Sequence, residues 1–174
     1  MNKNDLIVVF DLDNTLIHCH TQKPSKKESI KQITIDGHEY WIELRKGMKE
    51  SLNRLKNHYR LVLYTASQDN YVNEIMKVFE QENISFNEIY SRNNCELKDG
   101  KLYKNIDIVG KNKKRIVCID DNPRVWNEMD NVYSCRKYYG GSDDEFVKIE
   151  SLISSCNYND DVRDVIYEYT FRTF

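Results

Sequence analysis

Three short runs of apolar residues, each broken off by polar ones, constrain this chain more than any other feature. Leu6 to Phe10 (LIVVF), Arg60 to Tyr64 (RLVLY) and Arg115 to Ile119 (RIVCI) are almost wholly apolar. They are too short to cross a membrane, which takes about 20 residues. They lack the alternation of a half-exposed strand, and instead read as central parallel strands covered on both faces. Between them lie segments of helical period. Met48, Leu52 and Leu55 mark one helix, ending near Asn57-His58. Val72, Ile75, Met76 and Phe79 mark a second, with Asp69 as its expected N-cap. The fold class is therefore α/β, with a mostly parallel central sheet flanked by helices.

Other elements fit around that frame. Asp36-Gly37 joins Gln32–Ile35 to His38–Leu44 as a hairpin, because Asp-Gly suits a two-residue turn whose central residues both need positive φ. Asp99-Gly100 marks a second hairpin. Ile84 to Ser91 should hold a short strand, and Val132 to Cys135 an edge strand. Ser142-Asp143-Asp144-Glu145 should cap a helix bearing Phe146, Ile149, Leu152 and Ile153. Val162, Val165, Ile166 and Tyr169 give a last helix whose stripe is core. The polar stretch from His18 to Lys31 reads as loop.

The 174 residues suit one domain, 1–174, with an insertion hairpin at about 30–45. The 26 basic and 28 acidic residues nearly cancel, so bulk binding of a polyanion such as nucleic acid is not expected. The absence of a signal-like segment leads to the expectation of a protein that is not secreted and not in a membrane. The five cysteines form no CxxC pair, which suggests reduced thiols in a cytoplasmic or nuclear protein.

The polar residues that stop the runs carry the chemistry. Asp11-Leu12-Asp13-Asn14-Thr15 follows the first strand, Thr65 the second, Lys104 the second hairpin, and Asp120-Asp121 the RIVCI strand. Ligands of open α/β sheets bind at the carboxyl ends of strands, so these four pieces should converge. Clustered carboxylates need a cation, and oxygen ligands suit Mg²⁺. A lysine and a threonine hydroxyl would serve the oxygens of a phosphoryl group. One aspartate can attack as nucleophile while another, two residues on, works as acid and base. Any one of these motifs alone is more often an ordinary turn; the ordered set is specific.

The sequence DLDNTLIH at Asp11–His18 closely resembles the DxDxT motif of the haloacid dehalogenase superfamily. Its branch is similar to the small phosphatases of the RNA polymerase II carboxy-terminal domain, also called NLI-interacting-factor-like. Arg45-Lys46-Gly47-Met48, Leu63 to Ser67, Asn94-Cys95 through Lys104, Ile119 to Pro123 and Asp160 to Arg163 extend the resemblance from Ile7 to about Ile166. Asn14, Lys46, Thr21 and Gln68 depart from the pattern; the last two are polar where the small phosphatases tend to be apolar. The resemblance implies a Rossmann-like haloacid dehalogenase fold and a Mg²⁺-dependent phosphoserine/phosphothreonine phosphatase. The polymerase tail is among its expected substrates. It implies Asp11 as nucleophile, Asp13 as acid/base, and Thr65 and Lys104 as phosphoryl ligands. Asp11, Asp13 through its carbonyl, Asp120 and Asp121 would surround the metal, with Thr15 and Asn122 supporting the loops. Ile33, Ile35, Tyr71 and Arg92 would line a peptide groove. The expected partner is a phosphorylated protein or peptide, met by a monomer.

Three other readings stand beside it. A non-catalytic relative could serve as a protein-binding subunit, but it should have lost Asp11 or Asp13. A phosphatase of non-protein phosphomonoesters would not need the groove. A receiver domain would place its acidic pair after the first strand, the reverse of the order here. His18-Cys19-His20 could be read as a soft-metal trio, although alternating residues seldom point the same way. The run Lys111, Lys113, Lys114, Arg115 is either a solvated loop or a patch that steers anions. Tyr40 and Trp41 fit groove or core equally.

Overall fold

The computed structural model describes residues 5–25 and 30–172. The end of the expected loop His18–Lys31 at residues 26–29, and the first four residues, lie outside them. In chain order the elements are β1 (Ile7–Phe10), β2 (Ile17–His20), β3 (Ile30–Ile35), β4 (His38–Leu44), α1 (Met48–Lys56), β5 (Arg60–Tyr64) and α2 (Asp69–Gln81). Then come β6 (Glu88–Tyr90), β7 (Glu96–Lys98), β8 (Lys101–Tyr103), β9 (Ile116–Asp120), β10 (Val132–Ser134), α3 (Glu145–Tyr158) and α4 (Val162–Arg172).

The three apolar runs form the middle of a five-stranded sheet of order β10-β9-β1-β5-β6, parallel throughout. Their residues alternate between two packed layers. Val8, Phe10, Leu61, Leu63, Val117 and Ile119 join the cluster that holds the apolar stripes of the four helices. Val9, Val62, Tyr64 and Cys118 face Ile106, Val109 and Trp126. Each fully buried aliphatic side chain contributes about 1.5–3 kcal/mol, which is why these strands tolerate no polar residue before their ends. From β1 the chain moves first to β5 and β6, then back past β1 to β9 and β10. The reversal places a crevice between the carboxyl ends of β1 and β9.

The insertion is a three-stranded antiparallel sheet of order β2-β4-β3. Asp36 (φ 49°) and Gly37 (φ 80°) make the expected turn. The loop expectation for His18 to His20 is corrected: Ile17–His20 is a strand paired with Trp41–Leu44 of β4. His18 and His20, two apart, share one face with ring centroids 4.5 Å apart, and His20 Nε2 lies 2.8 Å from Glu43 Oε2. Cys19 is on the other face, packed against the core, so the three do not gather around one point. Tyr40 also packs half-buried against that core. The N-cap of α2 is Gln68, with Asp69 its first residue.

A second correction concerns the basic run. Arg115 is buried and its Nη1 donates to the carbonyls of Cys156 (3.0 Å) and Asn159 (2.5 Å), which closes the C-terminus of α3. Lys113 pairs with Asp107 and Glu128. The run is thus largely spent on the fold.

Arg45, at the end of β4, is the largest fully buried side chain. Its Nε and Nη2 bind the Asp143 carboxylate, Nη1 donates to the Thr15 carbonyl (3.0 Å) and Nη2 to the Arg136 carbonyl (2.8 Å). One guanidinium thereby ties the first-motif loop to the segment 136–143. Burial alone would raise the Asp143 carboxyl, but the Arg45 hydrogen bonds and charge outweigh it and hold it below its usual 3.8. A carboxyl depressed in the folded state stabilises above its unfolded pKa and loses that effect as pH falls through the folded value. Arg45→Met should therefore cost about 3–5 kcal/mol at neutral pH by leaving Asp143 unpaired. Urea unfolding at a series of pH values should show this difference shrinking below about pH 4.

Candidate active site

Asp11 leaves β1 with its backbone N–H still bonded to the Ile119 carbonyl of β9 at 2.9 Å, so the two strand ends remain in register. The next residues turn sharply. Leu16 N–H returns to the Leu12 carbonyl (2.9 Å), and Asn14 takes a left-handed φ of 60°. Asn tolerates that region better than most residues, which fits its place in the motif. The turn leaves Leu12 in the core and presents Asp11, Asp13 and Thr15 on the crevice side. Thr15 is fully buried; its Oγ1 accepts the Asp121 N–H (3.1 Å) and lies 3.4 Å from Asp121 Oδ1. That contact joins two loops 106 residues apart in sequence.

Lys104 is placed by its backbone, which exchanges hydrogen bonds with Val125 and Asn127. Its Nζ lies 2.6 Å from both Asp11 Oδ1 and Asp120 Oδ2, and its side chain is 2% exposed. Burial would lower this ammonium's pKa, but Asp11 and Asp120 together hold it raised. Asp120 Oδ2 also accepts the indole N–H of Trp126 (2.8 Å), and its Oδ1 accepts the backbone N–H of Asn122 (2.8 Å). The Asn122 contact is a main-chain one and its side chain is exposed. Burial pushes Asp11 up to about 7; Lys104 opposes this, while Asp120 and Asp13 add to it. Burial and Asp120 likewise raise Asp121.

Carboxylate oxygens of Asp11, Asp120 and Asp121 all lie within 4.8 Å of one another. This all-oxygen donor set of three crowded carboxylates fits a hard divalent cation. Asp13 is outside the trio. Its Oδ1 accepts the Tyr71 hydroxyl (2.6 Å) and its Oδ2 the Ser67 hydroxyl (2.7 Å). Thr65 is buried at the end of β5, where its Oγ1 accepts the Ser67 N–H (3.1 Å).

The four residues expected to line a groove are placed unequally. Ile33 is only 6% exposed and belongs to the core. There β3 packs on α2, and the inward positions of a strand serve that packing. Ile35 is half-buried at the same surface. Tyr71 reaches Asp13 as described, and Arg92 Nε donates to the Ala66 carbonyl (2.8 Å) behind Thr65. Trp126, Ser67 and Lys137 contact Asp120, Asp13 and Asp121, and the sequence assigns none of them a role. Ser67 closes the motif Leu63 to Ser67, whereas a lone Trp or Lys in a loop carries no pattern that spacing could pick out.

A strand-end crevice that joins DxDxT, a threonine, a buried lysine and an acidic pair is the arrangement of the haloacid dehalogenase superfamily. The chain belongs to the NLI interacting factor-like phosphatase family, whose model matches residues 6–163. It is 26% identical over 160 residues to CTD small phosphatase-like protein 2 of Dictyostelium discoideum, covering 90% of this chain and 28% of that protein. It is 29% identical over 166 residues to nuclear envelope morphology protein 1 of Schizosaccharomyces pombe, covering 91% and 35%. The chain thus spans about a third of the length of these relatives. The solved structure of the fission yeast RNA polymerase II CTD phosphatase Fcp1 bound to beryllium fluoride has the same fold. It superposes with a TM-score of 0.65 at 16% identity, covering 97% of this chain and 62% of that one. Among the described residues, no helix is long and apolar enough to cross a membrane.

Proposed function

We propose that this chain is a Mg²⁺-dependent phosphoprotein phosphatase that works through an aspartyl-phosphate on Asp11. The observation that carries this is the division of two carboxylates two residues apart. Asp11 is buried against Lys104, whereas Asp13 is turned away and held by two hydroxyls. Such a split gives one carboxylate to attack and the other to move protons. Asp11 Oδ attacks phosphorus and the bond to the serine or threonine oxygen breaks. That oxygen takes its proton from Asp13, which Ser67 and Tyr71 keep aimed. Asp13 then removes a proton from water, and the hydroxide displaces phosphate from Asp11. Lys104 and Thr65 stabilise the charge on the equatorial oxygens.

Asp11 and Asp121 are the residues best placed to hold the cation, because Asp120 already accepts from Lys104, Trp126 and Asn122. The cation supplies positive charge to the crowded carboxylates and to the phosphoryl oxygens. A protein substrate is favoured by family membership and by the insertion sheet that flanks the Asp13 loop. Thr21 and Gln68 are both exposed and polar, which supports a side-chain preference different from an apolar proline pocket. A reducing compartment, nuclear or cytoplasmic, suits the five free thiols.

Purified protein with Mg²⁺ should hydrolyse an aryl phosphate, and a chelator should abolish turnover until Mg²⁺ is restored. Mg²⁺ at about 100 times its dissociation constant should also stabilise the fold by ~2.7 kcal/mol in thermal melts. Folded, Mg²⁺-loaded protein that turns over neither aryl phosphates nor phosphopeptides would overturn the enzyme reading in favour of a binding subunit.

A further inference from the structure

The phosphatase reading accounts for Lys104, which pairs with Asp11 and Asp120, but leaves a second ammonium at the third carboxylate of the cluster. Lys137 Nζ lies 3.4 Å from Asp121 Oδ2. The two lysines differ in every physical respect. Lys104 is sealed in, with two contacts of 2.6 Å. Lys137 has one longer contact, and its side chain is 49% exposed.

The main chain around Lys137 is nevertheless fixed on both sides. The carbonyl of Arg136 accepts from buried Arg45, and the N–H of Tyr138 donates to the carbonyl of Asn14 at 2.8 Å. The Tyr138 hydroxyl donates within reach of Glu43, Leu44 and Gly141, and Glu43 also accepts the Gly141 N–H. A rigid backbone therefore carries a flexible cationic stem to the mouth of the crevice. It stands beside the first-motif loop, since Tyr138 is bonded to Asn14.

The charges give this stem a use. Asp11, Asp13, Asp120 and Asp121 bring four carboxylates to the crevice, against the ammoniums of Lys104 and Lys137. A divalent cation held by these carboxylates would take up the charge of Asp121 that now holds Lys137, and would repel the ammonium. A compact ammonium on four methylenes then turns readily toward another anion on the solvent side. Arg92 is less free to do so. Its Nε is bonded to the Ala66 carbonyl, whereas Arg136, which faces Asp144 at 3.6 Å, points its contact away from the four carboxylates.

We propose that Lys137 is a specificity-determining residue of this site, selecting phosphopeptides that carry a second anionic side chain beside the reacting residue. The proposal rests on the phosphatase reading and names its substrate class. It is tested with phosphopeptides identical except for Glu or Gln at the positions flanking the phosphoserine, plus a doubly phosphorylated version.

Wild-type protein should prefer the Glu peptide over the Gln peptide by about three- to fivefold in kcat/KM, through KM, as expected for a part-exposed ion pair. The preference should fade in high salt. Lys137→Gln should bring the ratio to about one, Lys137→Arg should keep it, and Lys137→Glu should reverse it. A larger ratio for the doubly phosphorylated peptide than for Glu would identify phosphate as the preferred flank. A wild-type ratio of one, or a ratio that Lys137→Gln leaves unchanged, overturns the proposal. Absence of turnover of every phosphoester, aryl phosphate included, would instead defeat the phosphatase reading. Fluorescence anisotropy with the same labelled peptides then decides about Lys137: a ratio of dissociation constants unmoved by Lys137→Gln overturns it.

Discussion

Asp11→Asn should leave a folded protein that no longer turns over aryl phosphate, with a loss of roughly four orders of magnitude or more, as for other excised nucleophiles. The amide has the shape of the carboxylate, and its oxygen can still accept from Lys104 Nζ, which in the native site is 2.6 Å from Asp11 Oδ1. It cannot form an acyl phosphate, because an amide oxygen is a poor nucleophile and carries no charge. The effect on stability should be small and of the opposite sign. Burial and the neighbouring Asp120 push Asp11 up to about 7, so its charge is partly disfavoured where it stands. Removing that charge relieves repulsion with Asp120 and Asp121. A thermal melt should therefore show a midpoint equal to or above that of the native protein. Undiminished turnover would move the nucleophile elsewhere.

Lys104→Met should damage both properties at once. The side chains are similar in length, so packing against Tyr64 and Trp126, whose rings lie 6.0 and 5.3 Å from Nζ, is largely kept. The lost charge leaves Asp11 and Asp120 facing each other without compensation. Breaking a buried pair from one side costs about 3–5 kcal/mol. At about 2–4 °C per kcal/mol for a chain of this size, the melting midpoint should fall by roughly 6–20 °C. Turnover, measured at a temperature where the variant is folded, should drop by about 10²–10³, the usual cost of losing one preorganised donor to developing negative charge. Asp120→Asn in the same chain should recover part of the stability and none of the rate. A rate that follows the stability would mean that Lys104 is purely structural.

Much of this arrangement was legible in the chain because it obeys local rules. LIVVF, RLVLY and RIVCI are followed at once by the polar residues Asp11, Thr65 and Asp120, so the run and its breaker together mark both a strand and its carboxyl end. Asp36-Gly37 and Asp99-Gly100 announce turns by backbone chemistry alone. The misreadings come where a residue's state depends on a distant partner. His18 and His20 look like loop residues; they are strand because β4, more than twenty residues on, supplies the hydrogen bonds. Arg115 and Arg45 carry the charge of surface residues. They are buried because carbonyls at the end of α3, and Asp143, are waiting for them. Ile33 has the right character for a groove or a core, and only the position of α2 decides between them. Trp126 and Lys137 bear no motif, and their contacts with Asp120 and Asp121 exist only once the loops have met.

The clasp between Thr15 and Asp121, with Lys104 between Asp11 and Asp120, also bears on how the protein is born. Asp11 and Thr15 are made before their partners, which lie 93 and 106 residues further along the chain. A nascent chain that has emerged only through α2 holds the whole first motif, yet has none of the cationic partner, the facing carboxylates or the strand that would seat it. Such contacts are slow to close and form late. Chemical competence should therefore appear abruptly, when β9 inserts beside β1, rather than grow with chain length. Recovery of turnover after dilution from denaturant would then report the docking of that one strand.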